Sequence, residues 1–309
     1  MSNHIYRNKY KNKSSRDKYD KTEHRSYKKE YYVPKYMNYK NGLNNKVDNP
    51  YLLFHRYLES KDKVKNDKKE NADNFDKLKC FNHINIIAAT MNSVNTVNNL
   101  NKDISKNIKS MKVYKVQTFR VKQISNIVIG LGQISVSETS MTLHHIYGIP
   151  YIPGQALKGI TRNYIINEYF EGDEVKAVKD RDFTDIFGKE GKSLEEGSVG
   201  KIKFFDSYPV DNINCRMDIM NNHHSKYYSK EGKLNDTESP KPIRFMAICD
   251  TSFDINIAVK KKENKVLEGN LATEFKNKNM LEVTVECLKM ALEYYGIGAK
   301  TAVGYGYFK

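Results

Sequence analysis

The chain has 309 residues, a net charge of +15 and a 39% hydrophobic share, which suits one large domain or two small ones whose core cannot include every segment. No apolar run approaches the roughly 18 residues of a membrane span, and residues 1–7 lack the apolar stretch of a secretory signal. Four cysteines stand singly at 80, 215, 249 and 287, so a disulfide scaffold or zinc ribbon is excluded and a soluble, cytoplasmic protein with isolated thiols is expected.

The charge is unevenly spread. Residues 1–80 hold 21 Lys+Arg against 11 Asp+Glu, while the remaining 229 hold 31 against 26. Residues 1–49 are rich in Lys, Asn and Tyr with no sustained apolar period, and read as a mostly disordered basic arm. Eight tyrosines fall in the first 40 residues. Their rings suit stacking on bases while lysines track phosphate, and the same composition also describes a solvated tail produced by AT-rich codons.

Residues 50–110 read as a helical N-terminal addition. Pro50 opens an amphipathic stretch with Leu53, Phe54, Tyr57 and Leu58 at helical spacing. A charged linker over 61–70 precedes a helical region over about 75–110, which holds no Gly or Pro but many Asn. From 111 the texture changes. Val113 to Val121 alternates and predicts a strand, with another over about 124–136. Helices are expected over 155–170 and 280–295, strands within 199–205 and 243–259, and a closing strand over 302–308. That order predicts an α+β fold, a ferredoxin-like (RNA-recognition-motif-like) βαββαβ domain over 111–309. An irregular stretch over 207–241 interrupts it, long enough to be functional or disordered.

Two segments carry the chemistry. In Gly148-Ile149-Pro150-Tyr151-Ile152-Pro153-Gly154-Gln155-Ala156-Leu157-Lys158-Gly159-Ile160-Thr161-Arg162 an extended run stops at proline and glycine and a helix starts at once. Free N–H groups at such a start attract anions. Lys158 and Arg162 lie four residues apart on one face, where concentrated positive charge costs stability unless an anion sits nearby. Gly159 between them admits a backbone or a ligand. The bland alternative is two solvated side chains on an amphipathic helix. The second segment runs from Gly296 to Phe308. It is no Walker A loop, because Ala299 and Tyr294 stand where that pattern needs glycine. It reads instead as a glycine-rich turn whose Gly298, Gly304 and Gly306 backbone, with Lys300 and Thr301, is suited to phosphate or ribose.

These segments resemble the signature of the repeat-associated mysterious proteins (RAMP superfamily), RNA-binding subunits of CRISPR effector complexes. More narrowly, Glu138-Thr139, Leu143-His144, Phe187-Gly188, Phe204-Phe205-Asp206, Asp218-Ile219-Met220 and Gly296-Ile297-Gly298-Ala299-Lys300-Thr301, in that order, resemble the family of sixth subunits of type III-B (Cmr) complexes. The likeness covers about 49–309 and leaves out the arm. Gln155 departs from the serine usual after Ile-Pro-Gly. The resemblance implies a subunit that holds the 3′ part of the guide RNA and meets target RNA. It implies contacts with the repeated backbone subunit and the end-capping subunit, with no cofactor and no membrane. Gly154, Gln155, Lys158, Gly159, Arg162, Gly298, Lys300, Thr301, Gly304 and Gly306 are the expected RNA-binding residues. A thumb hairpin that wedges between guide and target is expected within 207–241, with Met217, Met220, His223, His224, Tyr227 and Tyr228 as its residues.

Three forms of catalysis are conceivable from the sequence. The histidine pairs 144/145 and 223/224 lack accompanying carboxylates or cysteines, and adjacent residues of a strand face opposite sides, so no metal site is expected. A metal-independent ribonuclease with His145 and Tyr147 near the helix start is the runner-up. Cleavage through a carboxylate is implied by the resemblance only for the repeated backbone subunit, which carries an Asp in the loop before Ile-Pro-Gly. This chain has only Glu138 there, whose longer side chain misplaces the group. Asp206 and Asp218 read as turn or thumb-base residues. A non-catalytic RNA-holding subunit is expected, with a general basic RNA-binding protein as a third reading.

Overall fold

The computed structural model describes residues 29–31, 49–55, 59–61, 94–133, 139–191, 197–210, 212–222 and 241–309. Strands β1 (Lys29–Tyr31) and β2 (Glu59–Lys61) pair antiparallel. Helix α1 (Pro50–His55) buries Phe54, and α2 spans Val94–Ser110. The rest of the expected arm, and the 62–93 part of the helical addition, lie outside the described residues.

The central sheet is built on β10 (Ser252–Lys260). It pairs antiparallel with β3 (Tyr114–Lys122) along one side and with the two short strands β6 (Lys203–Phe204) and β7 (Tyr208–Pro209) along the other. The chain end adds to the far edge of β3. Lys122 and Lys309 exchange two hydrogen bonds of 2.9 Å, and Gln123 bridges Phe308. The order across the sheet is therefore chain end, β3, β10, then β6 with β7.

On one face lie α3 (Gly154–Tyr169) and α7 (Met280–Tyr294). They cover Phe253, Ile255, Ile257 and Val259, the odd positions of β10, all fully buried, as strand alternation requires. The helices meet through Tyr164 and Tyr295, 5.4 Å between ring centroids, and the Tyr295 hydroxyl donates to Glu168 at 2.8 Å. A reciprocal capping box between Asn279 and Glu282 starts α7. Between α3 and the sheet strands come α4 (Glu174–Lys179), α5 (Arg181–Phe187) and the small β4 (Gly188–Lys189) and β5 (Ser198–Val199) pair. Asp180 and Asp182 open α5 and also accept backbone N–H bonds from Glu268, Gly269 and Asn270, which clasps that loop to the helix. A short α6 (Leu271–Glu274) follows it.

Three expected elements differ. No strand runs over 124–133: Gly130 at φ 77 turns the chain, leaving only the Ile127–Ile248 bridge, and 134–138 lie outside the described residues. The closing segment is a 3-10 turn at Thr301–Val303 plus that one bridge at Phe308, because glycines at positive φ keep it from extending. The stretch over 207–241 is not irregular throughout. Residues Asn214–Asn222 form β8, which pairs residue for residue with β9 (Lys241–Cys249), from Asn214 opposite Cys249 to Asn222 opposite Lys241. Nine paired residues make a hairpin stem about 30 Å long. Its tip, 223–240, lies outside the described residues.

Candidate nucleic-acid interface

The run Ile152-Pro153 is held by a two-way backbone exchange with Ser207 at 2.9 Å. That exchange brings the break between β6 and β7 against the start of α3. Asp206, in the break, accepts the Gly154 N–H at 2.8 Å. The leading N–H of the helix is thus already occupied by a carboxylate of the same chain, a correction to the expectation that it awaits a phosphate. Gly154 is glycine for packing, since a Cβ there would come within 2.4 Å of the Phe204 carbonyl oxygen. Gln155 is exposed.

One and two turns on, the cations are not solvated arms. The Lys158 ammonium donates to the Phe187 carbonyl oxygen at the end of α5 at 2.8 Å. Arg162 pairs with Glu174 at 2.6 Å and lies 5.3 Å over the Phe183 ring. Burial, then the charges of Lys203 and Arg162, lower the Lys158 pKa. Lys158 and Lys203 have no carboxylate within ion-pairing distance among the described residues. This is a cation group short of an anion, and Lys203 is a member that the sequence reading missed. Its signal was weak: it sits in Lys201-Ile202-Lys203, 45 positions from Lys158, and only the fold joins them. Gly159 faces open space, where a Cβ would meet no atom within 4 Å.

The glycine-rich loop forms a second group. Gly298 and Gly306 stand at φ 98 and 81 and bring backbones together, as a Cβ would come within 2.4 Å of the Val128 oxygen or 2.0 Å of the Ile297 oxygen. Most loop donors are used internally: Ile297, Ala299, Tyr305 and Gly306 N–H bond to Gly306, Val128, Lys300 and Asn126 carbonyls at 2.7–3.2 Å. Gly298 and Lys300 N–H make no hydrogen bond among the described residues. Thr301 accepts the Tyr307 hydroxyl on its carbonyl, and Gly304 is exposed at φ 94. Lys300 adopts a left-handed φ of 64, unusual for a residue with a Cβ. Its ammonium lies 5.4 Å over the Phe245 ring and 4.0 Å from the Met220 sulfur. The Tyr305 hydroxyl donates to Asp218. The loop therefore grips the stem of the β8–β9 hairpin, and Asp218 serves as an anchor there.

Met217 and Met220 lie on β8, Met217 and Ile219 partly exposed at 36% and 53%. His223, His224, Tyr227 and Tyr228 lie outside the described residues, as does Glu138. His144 and His145 are in a turn rather than a strand, and their rings stack at 5.1 Å instead of parting. The His144 Nδ1 accepts the Ile146 and Tyr147 N–H at 3.2 and 3.4 Å, and burial followed by the His145 charge lowers its pKa. Tyr147, Tyr151 and Tyr208 surround it. Among the described residues, no group of three or more His, Cys, Asp or Glu is placed to hold a metal ion, and no helix is long and apolar enough to cross a membrane.

A family model of the RAMP superfamily matches residues 120–309, which takes in both cation groups and the hairpin. The chain belongs to the RAMP superfamily. Among RAMP proteins, it is 30% identical over 245 residues to the CRISPR system Cmr subunit Cmr6 of Pyrococcus furiosus, covering 61% of this chain and 66% of that one. It is 25% identical over 214 residues to the CMR subunit Cmr6 of Saccharolobus solfataricus, covering 67% and 62%. The chain thus spans just under two thirds of the length of these relatives. It shares the fold of a chain in the cryo-EM structure of the type III-B Cmr-beta complex bound to cognate target RNA, with a TM-score of 0.51, 19% identity and coverage of 79% and 76%.

Proposed function

We propose that this RAMP protein is a non-catalytic, guide-RNA-binding subunit of a type III-B CRISPR ribonucleoprotein. It holds the 3′ part of the guide and contacts the guide–target duplex, with the repeated backbone subunit and the end-capping subunit as its neighbours. The observation that carries the reading is the Lys158, Arg162 and Lys203 group. Lys158 is partly desolvated among like charges and meets a carbonyl in place of a carboxylate, while Gly159 leaves the surface beside it open. A phosphate there would offset the mutual repulsion. The sheet order, all antiparallel, supports a ferredoxin-like domain. The β8–β9 stem, anchored by Lys300 and Tyr305, supports the thumb, with Met217 and Ile219 as apolar side chains for unstacked bases.

A salt titration of single-stranded RNA binding tests this. Each phosphate neutralised contributes about −0.7 to the slope of log affinity against log salt. Lys158→Ala/Arg162→Ala should flatten the slope by about one or more, Lys203→Ala should flatten it further, and deletion of 1–49 should matter less. An unchanged slope in the substituted proteins rejects the site. The second reading, a metal-independent endoribonuclease, draws on the stacked His144–His145 pair beside Tyr147. Incubation with guide precursor separates the two, and cleavage lost in His145→Ala would favour the nuclease.

A further inference from the structure

On the face of the sheet away from α3 and α7, helix α2 stands off the strands and leaves a cavity of about 250 Å³. Asn101 and two isoleucines of α2 form its roof, and Thr118, Tyr208, Asp254 and Asn256 its floor. Strand register explains the floor. Asn256 is opposite Thr118, while Asp254 is opposite both Arg120 and Tyr208, so these side chains share one face.

The polar groups are incompletely matched inside the protein. Asn256 is only 5% exposed, and its Oδ1 accepts from the Thr118 hydroxyl at 2.6 Å, but its Nδ2 donates to nothing among the described residues. Asn101 donates to the Pro209 carbonyl oxygen at 2.9 Å, leaving its own Oδ1 without a donor among the described residues. The Asp254 carboxylate takes two bonds from Arg120, at 2.8 and 3.2 Å, and keeps acceptor capacity. Tyr208, stacked on Tyr151 at 5.6 Å and 22°, supplies an aromatic wall, and its hydroxyl makes no hydrogen bond among the described residues. These unmatched groups line the cavity, where a planar ligand with complementary edge groups can bond them in place of water.

We propose that this cavity binds a single unstacked nucleobase carrying an exocyclic amine, against Tyr208 and with its edge on Asn256, Asn101 and Asp254. The volume is below the roughly 300–1,000 Å³ of drug-sized pockets, which suits one base. Acceptors outnumber donors, which matches the amine of adenine, cytosine or guanine. Adenine and cytosine also set a ring nitrogen beside the amine, the donor–acceptor pair that a carboxamide reads. Uracil offers two carbonyls and one N–H. Aromatic stacking gives affinity without choosing among bases, so the choice falls to the polar edge. This site extends the RNA-binding reading to base preference on a surface separate from the Lys158 group.

The test uses the full chain with short oligoadenylate, oligocytidylate and oligouridylate strands. The wild type should favour the first two over uridylate by about tenfold, the scale of one good edge contact. Tyr208→Ala and Asn101→Ala should erase that preference, while Lys158→Ala weakens all three strands alike. Asn101 is half-exposed, so its variant keeps the fold and stands as the control should Tyr208→Ala fail to fold. Equal affinity for the three strands, or a preference unaltered in Asn101→Ala and Tyr208→Ala, overturns the proposal. If the wild type binds no strand, saturation-transfer NMR with adenosine, cytidine and uridine decides. Signals from adenosine and cytidine that vanish in Tyr208→Ala keep the pocket and reject the RNA-holding role. No signal from any nucleoside rejects the pocket as well.

Discussion

The Tyr305 hydroxyl donates a hydrogen bond to the Asp218 carboxylate and ties the C-terminal glycine-rich loop to the stem of the β8–β9 hairpin. The two residues are 87 positions apart, and the Tyr305 ring packs against Phe245, the cross-strand partner of Asp218. Tyr305→Phe keeps that packing and removes the bond. A hydrogen bond to a charged group is worth about 1.5–3 kcal/mol when buried, and partial exposure here brings the expected loss to about 1 kcal/mol. Hydrogen exchange should report it locally, with amides of β8 and β9 losing protection while α3 and α7 keep theirs. Uniform loss across the domain would mean that the bond supports the whole fold rather than the hairpin.

The same pair gives stability a defined pH profile. The Tyr305 bond, first among its causes, lowers the Asp218 pKa, so its contribution is present above the ordinary aspartate pKa and lost as pH falls through the lowered value. Burial, then the Asp218 bond, raises Tyr305 to about 12. That contribution holds below the ordinary tyrosine pKa and is lost as pH climbs toward about 12. Asp182 has the opposite sign to Asp218. Burial raises its pKa despite two backbone bonds, so its contribution is present in acid and lost as pH rises. Unfolding free energies of wild type and Asp218→Asn should therefore converge in strong acid and separate on neutralisation. Wild type and Asp182→Asn should differ least where Asp182 is protonated.

Glycines that look alike in the chain should respond in opposite ways. At Gly306 the φ of 81 and a 2.0 Å approach of a Cβ to the Ile297 carbonyl oxygen forbid a side chain. Gly306→Ala should cost several kcal/mol, on the order of 3 or more, from strain and forced backbone movement. Gly159 is inside α3 with helical geometry and open space where the Cβ would go. Gly159→Ala should stabilise by about 0.5–1 kcal/mol through helix propensity alone. Thermal unfolding checks both. A destabilised Gly159→Ala protein would show that the helix needs the glycine for a reason other than ligand access.

What could be read from the chain follows the range of the interactions. Helices α3 and α7 are set by local sequence, α3 through the Pro153-Gly154 start, and both appear within a residue of their expected bounds. Strand β8 alternates Cys215, Met217 and Ile219 with Arg216 and Asp218, but its polar residues and distant partner masked it inside a stretch read as irregular. The 124–133 stretch has strand-like residues, and a turn at Gly130 overrode them. In the site, Lys158 and Arg162 were legible because they share one helix. Lys203 and Asp206 were not, because only the edge of the sheet brings them to that helix.

Asp206 is the residue where capping and charge can be measured separately. It caps α3 through the Gly154 N–H and also acts as the charge that opposes the lowering of the His144 pKa. Asp206→Ala removes both, and losing a cap of this kind costs about 1 kcal/mol. Asp206→Asn retains an acceptor oxygen for Gly154 and removes only the negative charge. Its stability should stay closer to wild type, while the His144 pKa falls further below the ordinary histidine range. Titration of the His144 ring protons by NMR, beside thermal unfolding, reads the two effects independently. A His144 pKa unchanged in both variants would mean that burial and His145 alone set it, and that Asp206 serves the helix only.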